Sequence, residues 1–140
     1  MRVVLDVNVW ISGLLWAGVP GQIFDLAEEQ RITIFVSEPI REDIQEILGR
    51  KKLQTKIQTL GVTVEDLLIV IEHLSQSCLT VAVDVPQLRD PDDTVILETA
   101  VAANAEVIIT GDLDLLVLTE FNAIPILTPQ EFINRYFPEK

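Results

Sequence analysis

Cysteine is nearly absent from this chain. Cys78 stands alone among 140 residues, so neither an internal disulfide nor a cysteine-rich zinc site can form, and its apolar neighbours point to a small buried hydrophobe rather than a reactive thiol. Histidine is as scarce: His73 is the only one, it falls in a helical pattern far from the motifs described below, and it reads as structural. No apolar run approaches the ~20 residues that a membrane span requires. Nor does the chain open like a secretory signal, because Arg2 leads directly into a core-strand pattern; a cytoplasmic protein is expected. Basic residues are few, ten against 22 acidic ones for a formal net charge of −12. That balance argues against nucleic acid, where Lys and Arg neutralise phosphates, but two features soften it. Arg41, Arg50, Lys51, Lys52 and Lys56 crowd one short stretch, and acids gathered in a cleft would be offset by divalent metal, which inverts the field that a phosphate meets.

What is present is a globular composition, 49% apolar, at a length that suits one domain spanning 1–140 and burying roughly two-thirds of its unfolded surface. Val3-Val4-Leu5 reads as a strand ending at Asp6, and Val9, Trp10, Ile11, Leu14 and Leu15 begin a helix almost at once. A second helix follows the break at Gly18 to Gly21, then a strand over Ile32 to Val36. Ser37 is a natural N-cap for a helix whose buried stripe is Ile40, Ile44, Ile47 and Leu48. A further helix starts at Thr63, with Asp66 completing a capping box, and runs toward Ser77; Leu79 to Val83 is a third candidate strand. Asp90-Pro91-Asp92-Asp93 is a helix start with N-cap Asp, N1 Pro and two dipole-complementing acids. Val107 to Thr110 reads as a continuously buried strand, Ile124 to Leu127 as a short one, and Thr128-Pro129-Gln130-Glu131 as the clearest capping box in the chain. Strand and helix alternate, so the fold class is α/β, a parallel sheet between helices with right-handed crossovers.

In such sheets ligands bind beyond the carboxyl ends of the strands, where strand order reverses. Asp6 ends the first strand and Asp112 follows the fourth, so their carboxylates converge if those strands are neighbours. Asp93 shares its helix face with Leu97 and Ala100 and points inward. Asp6 and Asp112 as turn residues, and Asp90, Asp92 and Asp93 as caps, are the competing readings. Two unit charges ~4 Å apart repel by about 4 kcal/mol at an effective dielectric near 20, so a carboxylate cluster needs protons or metal. With only oxygen ligands on offer, the hard ions Mg²⁺ or Mn²⁺ suit it better than zinc. Ser12 and Thr110 are hydroxyls near the same sheet edge that could orient water.

At these residues the chain resembles the PIN-domain family and, within it, the toxin components of toxin–antitoxin pairs. Val4-Leu5-Asp6-Val7-Asn8-Val9 resembles the opening strand with its Asp-Thr-Asn signature; Ser12 falls where a hydroxyl is usual. Ser37-Glu38-Pro39-Ile40, leading to Ile44 and Leu48, looks like the helix carrying the second acid. Arg89-Asp90-Pro91-Asp92-Asp93 resembles the third motif, and Thr110-Gly111-Asp112-Leu113-Asp114-Leu115-Leu116 the fourth. The resemblance implies a Rossmann-like three-layer sandwich with a sheet of about five strands in the order 3-2-1-4-5, Mg²⁺ or Mn²⁺ as cofactor, RNA as substrate, homodimerisation, and inhibition by an antitoxin protein. Two departures stand out: Val7 replaces the customary Thr, and Asp43 replaces the usual Glu.

The expected metal ligands and catalytic residues are therefore Asp6, Asp43, Asp93 and Asp112, holding one or two cations that orient a water against the phosphate. Asn8, Ser12, Thr110 and Asp114 would support them, and Arg50, Lys51, Lys52 and Lys56 would contribute to RNA affinity. Helix geometry separates Asp43 from its neighbour. At ~100° per residue, Asp43 lies roughly 85° from the centre of the buried stripe, at its margin, while Glu42 points nearly opposite. Two other classes compete. A receiver or aspartyl phosphatase also places acids at sheet edges, and Asp84 after the third candidate strand suits it, but no lysine lies between Lys56 and Lys140. A non-catalytic RNA- or protein-binding scaffold would be indifferent to divalent ions.

Overall fold

Val3, Val4 and Leu5, together with Val107, Ile108 and Ile109, have no side-chain exposure, as expected of parallel strands covered on both faces. They are the two central strands of a computed structural model that describes residues 1–140. The elements run β1 (Arg2–Leu5), α1 (Val7–Trp16), α2 (Gly18–Glu28), β2 (Thr33–Ser37), α3 (Glu38–Leu48), α4 (Lys51–Thr59), α5 (Val64–Leu74) and β3 (Ser75–Cys78). They continue with α6 (Pro91–Ala102), β4 (Val107–Ile109), α7 (Leu113–Leu116), β5 (Glu120–Phe121), β6 (Ile124–Leu127) and α8 (Pro129–Tyr136). The sheet order is β3-β2-β1-β4-β6-β5, the expected 3-2-1-4-5 order with one short strand added at the edge. All pairings are parallel except that of β5 with β6. α3 packs on α6 and β2, α6 also on β1, β2 and β4, and α2 joins α5 and α8 in a second group, so helices flank the sheet.

Successive strands first build outward from β1 to β2 and β3, then return to the other side of β1 with β4. The reversal puts the switch point between β1 and β4, whose ends are in register at Leu5 and Ile109. The next residues are Asp6 and Thr110. α1, α6 and α7 all begin at this edge, and an aspartate caps each one: Asp6 accepts from the Val7 amide, Asp90 from Asp92, and Asp112 from Asp114.

Four expectations about elements need correction. The third strand is Ser75–Cys78, not Leu79 to Val83, and α5 accordingly stops at Leu74. β3 is an edge strand held by backbone pairing to β2, so its Ser-Gln-Ser-Cys sequence carries no apolar alternation. Leu79 and Val81, whose apolar character suggested a strand, are exposed at 85% and 49%. The sheet has six strands rather than about five, because Asn122 and Ala123, both at positive φ, turn a two-residue strand back onto β6. Ser37 does occupy the N-cap position of α3, but its hydroxyl makes no capping bond; it lies 2.7 Å from Thr99 Oγ1 in α6. Cys78 is only half-buried, with burial pushing its thiol pKa up, and His73 is exposed beside Glu28 in the last turn of α5. The capping boxes at Thr63/Asp66 and Thr128/Glu131 both form in full. No helix is long and apolar enough to cross a membrane.

Candidate metal centre at the sheet edge

Asp6 is fixed by its own helix start and by the neighbouring strand. As the residue that ends β1 and caps α1, its Oδ1 accepts from the Val7 amide at 2.7 Å, and its own amide donates to the Ile109 carbonyl at 2.9 Å. Thr110 completes the hold: its hydroxyl donates to Asp6 Oδ2 at 2.6 Å and its oxygen accepts from the Asp112 amide at 2.9 Å. One buried hydroxyl thus ties the acid after β1 to the backbone of the acid after β4. Asp6 is 6% exposed. Burial pushes its pKa up, the Thr110 and Val7 hydrogen bonds oppose that, and the charges of Asp112 and Asp90 add to it.

Asp93 sits at the third position of α6, buried at 7% exposure, as its helical face requires. Its pKa rises to about 7, through burial first, then through its hydrogen bond to and charge repulsion from Asp112, then Asp90 and Asp6. Asp112 caps α7 and Asp114 stands in the first turn of that helix. One carboxylate oxygen each from Asp93, Asp112 and Asp114 can be chosen so that all three lie within 4.8 Å of one another. Asp93, Asp112 and Asp114 are therefore close enough to be the residues that would hold a hard cation, which takes oxygen ligands. The donor set is entirely oxygen, and a carboxyl driven to about 7 by burial and then by its acidic neighbours is one that an added positive charge would return to the ionised form.

The cleft over this edge is lined by Asp6, Asp43, Asp90, Asp92, Asp93, Asp112, Glu46 and Arg50, together with Val7, Asn8 and Ile47. Seven carboxylates therefore face one guanidinium. α3 contributes Asp43, Glu46 and Ile47, which recur at helical spacing along one margin of its buried stripe, and Arg50 reaches the cleft from the N-cap position of α4. Glu42 is exposed and does not line the cleft. Asp43 has its pKa raised by burial, then by the charge of and hydrogen bond to Asp92, and by Glu46 and Asp90.

Not every expected residue is gathered here. Asn8 lines the cleft, whereas Ser12, one turn farther along α1, is exposed and outside it. The basic stretch is divided: Arg50 turns into the cleft and binds Glu46 through two hydrogen bonds of 3.2 and 2.8 Å, Lys51 and Lys52 are exposed, and Lys56 lies over Trp16. Asp84 follows β3 at a distance along the coil and has no place in the cleft, which leaves the receiver-like alternative without its third-strand acid. Glu46 was not expected, though its place three residues after Asp43 on the same face was the available signal. Asp90 is the N-cap of α6 and Asp92 an acid of its first turn, as expected, and both also line the cleft.

Comparison with known proteins gives three findings. The family model described as PIN domain matches residues 2–114. Uncharacterized protein MJ1680 of Methanocaldococcus jannaschii is 31% identical over 147 aligned residues, which cover 97% of this chain and 92% of that protein. A chain in the crystal structure of VapBC2 from Rickettsia felis bound to a DNA fragment from their promoter superposes with a TM-score of 0.62 at 14% identity, covering 90% of this chain and 97% of that one. The last is a likeness of fold.

Proposed function

The chain belongs to the PIN-domain family, and from that premise we propose that it is a metal-dependent endoribonuclease and the toxin of a toxin–antitoxin pair. The observation that carries this reading is the convergence of Asp6, Asp93 and Asp112 at the β1/β4 switch point, with Asp43 reaching the same cleft from α3. These four would hold Mg²⁺ or Mn²⁺. When bound, the ion supplies positive charge against the phosphate oxygens and activates water for attack on phosphorus. Asp6 serves as the fixed ligand, since Thr110 and the Val7 amide already set its orientation. Asp93 is the ligand that must lose a proton near neutrality. Asp114 is placed to join Asp93 and Asp112, and Asn8, at the mouth of the cleft, is a neutral donor for a phosphate or ribose oxygen. Ser12 would contact substrate only beyond the cleft.

The likeness to VapBC2 of Rickettsia felis supports an antitoxin protein as partner, and the family reading supports a homodimer in the cytoplasm, with the 140 residues as one domain. The decisive experiment incubates purified protein with defined RNAs, with Mg²⁺, Mn²⁺ or chelator. Internal cleavage that requires the ion and is lost in Asp6→Asn is expected. Cleavage that survives chelation, or in the variant, refutes the metal-site assignment; ion-indifferent binding without cleavage would leave only a scaffold.

A further inference from the structure

Tryptophan is costly to leave in water, because its large ring dominates the burial energy of most cores. Trp10 obeys this rule at 0% exposure, but Trp16 is 55% exposed at the end of α1. Its ring is not bare. Lys56 of α4 places Nζ 5.6 Å from the ring centroid, within cation–π range, and Lys52 stands one turn before Lys56 and is exposed. Asn8, Ser12 and Trp16 recur at intervals of four along α1, and all three are exposed. They form one solvent-facing stripe that begins inside the acidic cleft, where Asn8 lines it, and ends at the tryptophan.

We propose that Trp16, with Lys56 beside it, is a base-stacking subsite for a single RNA strand that leaves the cleft along α1. This inference rests on the ribonuclease reading above. Eight residues at 1.5 Å separate Asn8 from Trp16 by about 12 Å, the length of three to four nucleotides at the ~3.4 Å stacked spacing and of fewer in an extended strand. An exposed aromatic ring with a lysine against it is what a strand of unpaired bases recognises, because every base has a π-face and every linkage a negative charge. A duplex hides those faces. In a chain with a formal net charge of −12, the Lys52–Lys56 side of α4 is also where a phosphate meets attraction outside the metal site.

The test measures binding of a fluorescein-labelled eight-residue oligouridylate and of a strand of equal length with abasic sugars, with Ca²⁺ as the divalent ion. Trp16→Ala should weaken binding of the oligouridylate roughly 5- to 150-fold, the equivalent of about 1–3 kcal/mol at 1.36 kcal/mol per tenfold change, and leave the abasic strand unaffected. Trp16→Phe should retain most of the affinity, and quenching of tryptophan emission by the oligouridylate should vanish in Trp16→Ala. Circular dichroism and sedimentation of each variant accompany the titrations. Equal affinity of wild type and Trp16→Ala for the oligouridylate overturns the proposal. So does a Trp16→Ala protein that changes only its oligomeric state, which would make the ring a contact between copies of the chain. Failure of the wild type to bind either strand with any divalent ion would instead remove the ribonuclease reading itself.

Discussion

Replacing Asp93 by Asn in the metal-free protein is expected to stabilise the fold at pH 8 and to change little at pH 4. Asp93 is buried, and its carboxyl titrates near 7 in the folded chain against 3.8 for the ordinary group. A folded-state pKa above the unfolded one means that the native chain binds this proton more tightly. The stability that this proton contributes is therefore fully present below about pH 4, falls as pH rises through the window from about 4 to 7, and is lost above it. About three pK units at 1.36 kcal/mol each give about 4 kcal/mol as an upper limit, shared with Asp112, with which Asp93 interacts directly. Asn keeps the shape without the charge. At about 3 °C per kcal/mol for a domain of this size, the variant should melt up to ~12 °C above wild type at pH 8 in chelator. The two curves should converge as the pH is lowered toward 4. Mg²⁺ or Mn²⁺ should raise the wild-type melting temperature at pH 8 and move the variant much less, because stabilisation follows the free energy of ligand binding. Parallel pH curves for the two proteins, or a variant less stable at pH 8, would show that burying this carboxylate among its acidic neighbours costs the fold nothing and would refute the reasoning.

Thr110→Val removes the donor to Asp6 and the acceptor for the Asp112 amide together, so Mn²⁺ affinity measured by calorimetry should fall about 10- to 100-fold, as for other supporting residues of metal sites; an unchanged affinity would mean that the hydroxyl only fills space. Asp43→Asn should weaken Mn²⁺ binding and RNA cleavage strongly while Glu42→Gln alters both little, since only Asp43 lines the cleft; the reverse order of damage would make Glu42 the ligand. Gly13→Ala should destabilise by about 1 kcal/mol in urea titration despite the better helix propensity of Ala. A Cβ there meets the Phe24 ring at 2.5 Å, and that ring packs on Trp10 at 5.3 Å between centroids; a variant more stable than wild type would show that Phe24 swings away freely.

The parts of the fold legible in the sequence are those whose side chains carry the signal. β1 and β4 are covered on both faces, so they read as unbroken apolar runs, and their ends locate Asp6 and Asp112 without further information. Asp93 was legible because the faces of a helix are fixed by its period, and a residue sharing a face with Leu97 and Ala100 must point toward the core. β3 was hidden for the opposite reason: an edge strand is made by backbone hydrogen bonds, which any residue except Pro can offer, and Ser75 to Cys78 bury little. The same limit explains β5, whose two residues are set by a turn rather than by a pattern. The division of the basic stretch has a different origin. Proximity in sequence places charges on one helix but not on one face, so Arg50 at the entry to α4 reaches Glu46 and the cleft while Lys56 reaches Trp16. The acids of the third motif show where sequence reasoning posed a false choice. A cap needs a carboxylate beside unpaired amides at a helix N-terminus, and in a parallel α/β sheet the helix N-termini at the carboxyl edge are also where the ligand crevice opens. Asp6, Asp90 and Asp112 therefore cap α1, α6 and α7 and line the cleft with the same side chains. Capping accounts for one carboxylate oxygen in each; Thr110 holds the second oxygen of Asp6 as well, and Asp112 also meets Asp93. Each oxygen keeps a further lone pair for whatever cation the cleft receives, so the extra bond makes Asp6 the most rigid of the three, while Asp112 is the acid that Asp93 and Asp114 share.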